Sequence, residues 1–137
     1  MAELSSIQKK AVTAGGRNIL VSAAAGAGKT TAMVERVVNK VVVEKVDIDS
    51  LVIMTFTISA AENMKRKIYE RIKEKAEDGS IPEEERARLR EQLMKLHGAR
   101  IGTIDSLCLE IVKENFQATD LDPDFRIADP TEISMFE

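Results

Sequence analysis

Hydrophobic positions along the chain recur with helical spacing in some stretches and run continuously in others. Val34, Val37, Val38 and Val41 fall at i, i+3, i+4 and i+7, the stripe of an amphipathic helix, and predict one from about Lys29 to Val43. Ala61, Met64, Ile68 and Ile72 predict a long helix from about Ser59. Pro82 opens a charged segment with a narrow stripe of Leu89, Leu93 and Leu96. Glu84/Arg88 and Glu91/Lys95 stand there at favourable i,i+4 spacing, and the segment reads as a solvated helical excursion from the core. Leu4 to Ala14 reads as a short helix with Ser5 as N-cap and Gln8 three residues on, stopped by Gly15-Gly16. Ser106 to Phe116 predicts another helix, and Asp129-Pro130-Thr131-Glu132 begins a last one.

The continuous runs predict strands. Asn18-Ile19-Leu20-Val21 is short and apolar between turn residues, and Leu51 to Phe56 is long enough for a parallel strand covered on both faces. Ala99–Thr103 and Phe125-Arg126-Ile127 predict a third and a fourth strand. Strands alternating with helices predict an α/β fold: a mainly parallel sheet with helices on both faces and ligands at the carboxyl ends of the strands.

One stretch carries chemistry. Ala23, Ala24, Ala25, Gly26, Ala27, Gly28, Lys29 and Thr30 follow a predicted strand and open a predicted helix. A loop of alanine and glycine has no long side chains to keep the backbone away from a phosphate chain, so its N–H groups can turn inward at the positive end of the helix. Lys29 can reach the β- and γ-phosphates of a nucleotide, and the Thr30 hydroxyl can complete the shell of its Mg²⁺. Those two are the candidate catalytic residues. Thr31 joins the loop as a candidate cofactor-binding residue. The usual pattern begins with Gly, where this chain has Ala23. The bland alternative is a small-residue turn whose lysine is merely solvated.

Composition narrows the class without naming a substrate. The chain has 137 residues, 44% of them hydrophobic and 31% charged, which suits one globular domain. No apolar run reaches the roughly 20 residues that cross a bilayer, and the first residues lack a signal-peptide pattern. Cys108 is the single cysteine, so no internal disulfide forms, and the cytoplasm is the expected compartment. The net charge of −3 excludes a strongly basic nucleic-acid module, yet six acids against one base gather between Asp120 and Glu137. The remaining body is mildly basic, so DNA stays open as a partner.

The other candidates have ordinary explanations beside the functional ones. The Gln8 amide offers the donor and acceptor that read an adenine edge, but it also completes a capping box. His97 precedes Gly98 at a predicted helix end, where a dipole contact accounts for it. No second histidine or thiol cluster points to a metal site. Cys108 falls on the apolar side of a short helix and reads as core rather than nucleophile.

Taken together, four blocks resemble the opening motifs of UvrD/Rep-like superfamily 1 helicases, in the same order. Leu4-Ser5-Ser6-Ile7-Gln8 is similar to the adenine-reading Q motif, and Ala23–Thr30 to motif I, where alanine commonly replaces the first glycine. Thr55 to Met64 resembles motif Ia, and Gly102-Thr103-Ile104-Asp105-Ser106-Leu107-Cys108 resembles motif Ib. The segment Leu121–Asp129 most resembles the helicase/nuclease branch of that family, which resects DNA double-strand breaks for recombinational repair. The chain departs from the motifs at Ile58 (usually Asn), Lys67 (commonly Arg) and Asp105 (usually His). A carboxylate cannot donate to a phosphate, so no DNA contact is expected from Asp105.

The resemblance implies a P-loop NTPase (RecA-like) fold, ATP and Mg²⁺ as cofactors, single- or double-stranded DNA as substrate and, for a partner, a second helicase/nuclease subunit. It also implies that residues 1–118 form most of the first half of a motor domain. Residues 119–137 would then be an acidic segment with a short strand leading towards an insertion. The family's Asp-Glu motif and its arginines for hydrolysis have no counterpart here, so this piece is expected to bind nucleotide without turnover. Thr55, Phe56, Thr57, Thr103 and Ser106 are the candidate DNA-binding residues, because strand ends in a parallel sheet share one rim. Phe56 has two readings, a base-stacking platform or a core residue under the following helix. Two rivals also remain: an unrelated P-loop NTPase or small-molecule kinase, and an interaction fragment with an empty loop.

Overall fold

The capping pattern at the start of the chain folds as helix α1 (Ser6–Thr13). Ser5 is its N-cap: the Gln8 amide N–H donates to the Ser5 hydroxyl, and the Ser5 N–H donates to Gln8 Oε1 at 2.8 Å. The computed structural model describes residues 4–16, 18–24, 26–122 and 124–128. The helix expected from Asp129 lies outside the described residues, as do Ala25 and the middle of the Leu121–Asp129 segment. The chain divides after Thr103 into two compact units.

In the first unit, α2 (Lys29–Val42) buries Val34, Val37, Val38 and Val41, as their spacing requires. A 3-10 turn (Ile48–Ser50) leads into β1 (Val52–Thr55), and α3 (Ile58–Glu77) follows it. Thr57 caps α3, its hydroxyl accepting from the Ala60 N–H at 3.2 Å. Ala61, Met64, Ile68 and Ile72 are buried along α3. After α4 (Glu83–Lys95), β2 (Arg100–Thr103) returns parallel to β1, with Val52 opposite Arg100 and Thr55 opposite Thr103. Helix α3 packs on this pair, α2 on α3, and α1 on α2.

Two cationic side chains tie helices together at orphan carbonyls. Arg36 of α2 donates to the carbonyls of Ala11 and Val12 near the end of α1, at 2.7 and 3.3 Å. Arg88 of α4 donates to the Val41 carbonyl near the end of α2 at 2.8 Å. The last carbonyls of a helix lack intrahelical partners and carry partial negative charge, so a guanidinium is a favourable cap.

The structure corrects several expectations. Residues Asn18–Val21 form no strand, and Leu20 is 96% exposed. A strand exists only as part of a ladder, and among the described residues β1 and β2 pair with each other alone. The β1 run is not covered on both faces, because Val52 and Met54 remain about half exposed. Nor is the charged segment an excursion. Leu89 and Leu96 enter the same core as Ile68 and Ile72, and α4 packs along α3. The expected Glu91–Lys95 pair forms at 3.0 Å, whereas Arg88 turns to Val41 rather than to Glu84.

A buried amide anchors α4. Gln92 is 1% exposed; its Oε1 accepts from the Ile48 N–H at 2.9 Å and its Nε2 donates to Asp47 at 2.7 Å. Lys95 donates to the other Asp47 oxygen at 3.0 Å. Hydrogen bonds from Lys95 and then Gln92 hold the Asp47 carboxyl below its ordinary value. That contribution to stability is complete above the usual carboxylate range and fades as pH falls through the lowered value.

The second unit contains α5 (Ile104–Glu114) and a 3-10 turn at Phe116–Ala118. The strand expected at Phe125–Ile127 is absent. The Phe125 N–H is taken by the Asp122 carbonyl at 3.0 Å, and the Lys113 ammonium stands 5.9 Å from the Phe125 ring centre. Cys108 is exposed rather than core. No helix among the described residues is long and apolar enough to cross a membrane.

Replacing Gln92 with Met keeps most of the side-chain volume but leaves the buried Ile48 N–H without its acceptor. The expected cost is about 1–3 kcal/mol, the penalty of one unsatisfied buried group. Urea unfolding measures it, and an unchanged midpoint would show that the amide does not anchor α4.

Candidate functional site

The loop before α2 is shaped by two glycines in the left-handed region, Gly26 at φ +77° and Gly28 at φ +76°. Side-chain-bearing residues disfavour this conformation, so the alternation of glycine with Ala27 has a backbone cause. The Ala27 N–H closes a turn on the Ala24 carbonyl at 3.3 Å. Gly28 is the N-cap of α2 and brings no side chain to cap it. The helix ladder begins only with Ala32 N–H donating to the Gly28 carbonyl at 2.9 Å. The amides of Lys29, Thr30 and Thr31 precede that ladder, and they are the donors a helix start offers to an anion.

Lys29 folds back across the loop. Its ammonium donates to the Ala23 carbonyl at 2.7 Å and to the Ala24 carbonyl at 3.1 Å. Two of its three N–H donors are thereby used, and the charge is held over the loop. Thr30 and Thr31 are exposed beside it. A Cβ added at Gly26 would meet nothing within 4 Å, so the loop stands open there. A cavity of about 340 Å³ adjoins Lys29, walled by Ala11, Ile19, Val21, Ala32, Met33 and Arg36.

Gln8 belongs to this site through a contact that local sequence does not reveal. Its Nε2 donates to the Ala27 carbonyl at 3.0 Å, nineteen residues along the chain. A Cβ at Gly28 would lie 2.7 Å from the same nitrogen. The capping role is therefore real, and a second role accompanies it. Arg36, fastened to the end of α1, holds the helix carrying Gln8 in place. Nothing in the spacing of residues 8, 27 and 36 signals either link.

The strand-end candidates are only partly gathered. Thr55 and Thr103 face each other at the carboxyl ends of β1 and β2. Thr103 is buried, whereas the Thr55 hydroxyl is spent on the Thr57 carbonyl at 2.9 Å. Phe56 is 94% exposed, so it does not pack under α3. Ser106 lies in the second unit, exposed on α5. His97 is exposed, and its carbonyl accepts from Lys65 at 3.1 Å. Among the described residues no three His, Cys, Asp or Glu side chains gather as a metal site.

The model of the UvrD/REP helicase N-terminal domain matches residues 4–137. The chain belongs to the UvrD/REP helicase family. It is 47% identical over 132 residues to the A subunit of the ATP-dependent helicase/nuclease of Geobacillus thermodenitrificans, covering 95% of this chain. The same helicase/nuclease component of Alkaliphilus metalliredigens is 44% identical over 93% of the chain, and that of Staphylococcus saprophyticus 38% identical over 91%. The chain spans about a tenth of the length of each of these relatives. UvrD/REP membership implies a P-loop NTPase fold, of which the described residues hold a two-stranded parallel sheet and its helices.

Alanine at either loop glycine incurs the left-handed backbone cost of about 1–2 kcal/mol. At Gly28 it also pushes the Gln8 amide off Ala27. Gly28→Ala is therefore expected to cost more than Gly26→Ala by about one hydrogen bond, roughly 0.5–1.5 kcal/mol. That excess should vanish in a Gln8→Ala background. Thermal unfolding of the four variants measures this, and equal costs at both glycines would contradict the contact.

Proposed function

We propose that this chain is the nucleotide-binding front of a DNA helicase/nuclease motor, with residues 23–31 holding the phosphates of ATP. The arrangement of Lys29 carries the reading: an ammonium fixed over a loop with left-handed glycines, at a helix start that no side chain caps. Anions are stabilised by such a start through its unpaired N–H groups and its partial positive charge.

Nucleotide and its ion fit the residues present. The loop amides and Lys29 would hold the phosphates, and Thr30 would supply a hydroxyl to Mg²⁺. Bound Mg-ATP supplies the phosphoryl group whose transfer drives the motor. Lys29 and the helix start contribute charge stabilisation that is in place before reaction. Positioning of water and the remaining charge stabilisation would come from the longer protein, so the 137 residues bind without turning over.

The apolar residues left exposed support an incomplete sheet. Ile19, Leu20 and Val21 before the loop, and Val52 and Met54 on β1, are side chains that a fuller doubly wound fold would cover. The relatives are named as components of an ATP-dependent helicase/nuclease, which supports DNA as substrate and, for a partner, a second subunit. Double-strand-break resection in the cytoplasm is the corresponding role. Phe56 beyond the end of β1 would stack a base, while the Thr57 hydroxyl, which accepts from Ala60 and keeps its own proton to donate, would take a phosphate.

Two outcomes test this reading. Mg-ATP or Mg-ADP at a hundredfold its Kd should stabilise the chain by about 2.7 kcal/mol, seen as a higher melting temperature. Lys29→Ala should abolish the shift, and equal shifts in both proteins would remove the phosphate assignment. In the full-length protein, Phe56→Ala should weaken single-stranded DNA binding roughly 5- to 150-fold, the range of base–aromatic stacking. Unchanged DNA binding would end the stacking role.

A further inference from the structure

We infer that Gln8 is a positioning residue for the phosphate loop, acting on bound phosphates whatever base is attached. The inference rests on the proposed nucleotide reading and deepens it. One planar amide makes two bonds of opposite sense. Its oxygen accepts from the Ser5 N–H at 2.8 Å, and its nitrogen donates to the Ala27 carbonyl at 3.0 Å. A backbone N–H can only donate and a carbonyl can only accept, so the two partners dictate which end of the amide is which.

The target is well placed to matter. Ala27 lies between the two left-handed glycines. The Ala27–Gly28 peptide has a wider choice of orientation than most, because the φ of Gly28 on its far side is unrestricted by a Cβ. Fixing the Ala27 carbonyl towards Gln8 fixes the opposite edge of the same planar peptide, the Gly28 N–H. The Gln8 amide also occupies the space where a Cβ at Gly28 would stand, 2.7 Å away. Gln8 is carried on α1, which Arg36 clamps to α2 through the Ala11 and Val12 carbonyls. Helix α1 thus acts as a brace, with one contact on the loop and another further along the helix the loop begins.

A residue that only reads adenine affects ATP alone. A brace on the loop affects any polyphosphate. Affinities for Mg-ATP, Mg-GTP and inorganic tripolyphosphate, measured by calorimetry on the full-length protein, separate the two. In Gln8→Ala all three should weaken by a common factor of about 2 to 12, the worth of one neutral hydrogen bond. Gln8→Glu should weaken them at least as much, since a carboxylate facing the Ala27 carbonyl cannot donate. Ser5→Ala removes the hydroxyl cap of α1 but neither bond of the Gln8 amide, and it should leave tripolyphosphate affinity near wild type. Loss confined to ATP would overturn the inference and leave the phosphate site standing. So would a Ser5→Ala loss as large as that of Gln8→Ala, which would trace the effect to the stability of α1. If Lys29→Ala binds tripolyphosphate as well as wild type does, the phosphate-site reading itself fails and the inference falls with it.

Discussion

The start of helix α2 is the constraint on which the rest of the structure depends. One short segment must leave its first amides uncapped, turn twice through left-handed glycines and still launch a helix whose valines form the core. Glycine and alanine satisfy the first two demands because they bring little bulk and little steric restriction. Val34, Val37, Val38 and Val41 satisfy the third, and burying them holds the exposed end in place. Stability and the proposed chemistry are thus divided along one helix, the apolar stripe behind and the uncapped turn in front.

Its neighbours tie this helix down at several points. Arg36 reaches back to the end of α1, Gln8 reaches from α1 to the loop, and Arg88 of α4 caps the Val41 carbonyl. Arg71 of α3 meets Glu35 at 2.7 Å with both side chains mostly covered. Each is a modest interaction alone. Together they hold α2 near both ends and along one flank, so the loop that opens it is carried on a braced element rather than a free one.

What could be read from sequence was local. The capping box needs only Ser5 and Gln8, and the α2 and α3 stripes need only their own spacing. The glycine-shaped turn before α2, the proposed phosphate loop, needs eight consecutive residues and their flanks. What could not be read depends on distant partners. Gln92 looks like one more polar residue on a charged helix, and its burial follows from Ile48 and Asp47, more than forty residues away. Asn18–Val21 has strand composition, but composition supplies no ladder. Phe125 has the same fault, with its N–H taken by a turn at Asp122. For Phe56, two readings were open because an apolar residue after a strand suits either core or surface, and its exposure leaves only the surface.

Amide-resolved NMR of the chain titrated with Mg-ADP tests the central claim most directly, because it reports which backbone N–H groups meet the phosphates. The account predicts that the largest shifts and the strongest gain in hydrogen-exchange protection fall within Gly26–Thr31. Perturbation centred elsewhere, or none in that segment at saturating nucleotide, would contradict it.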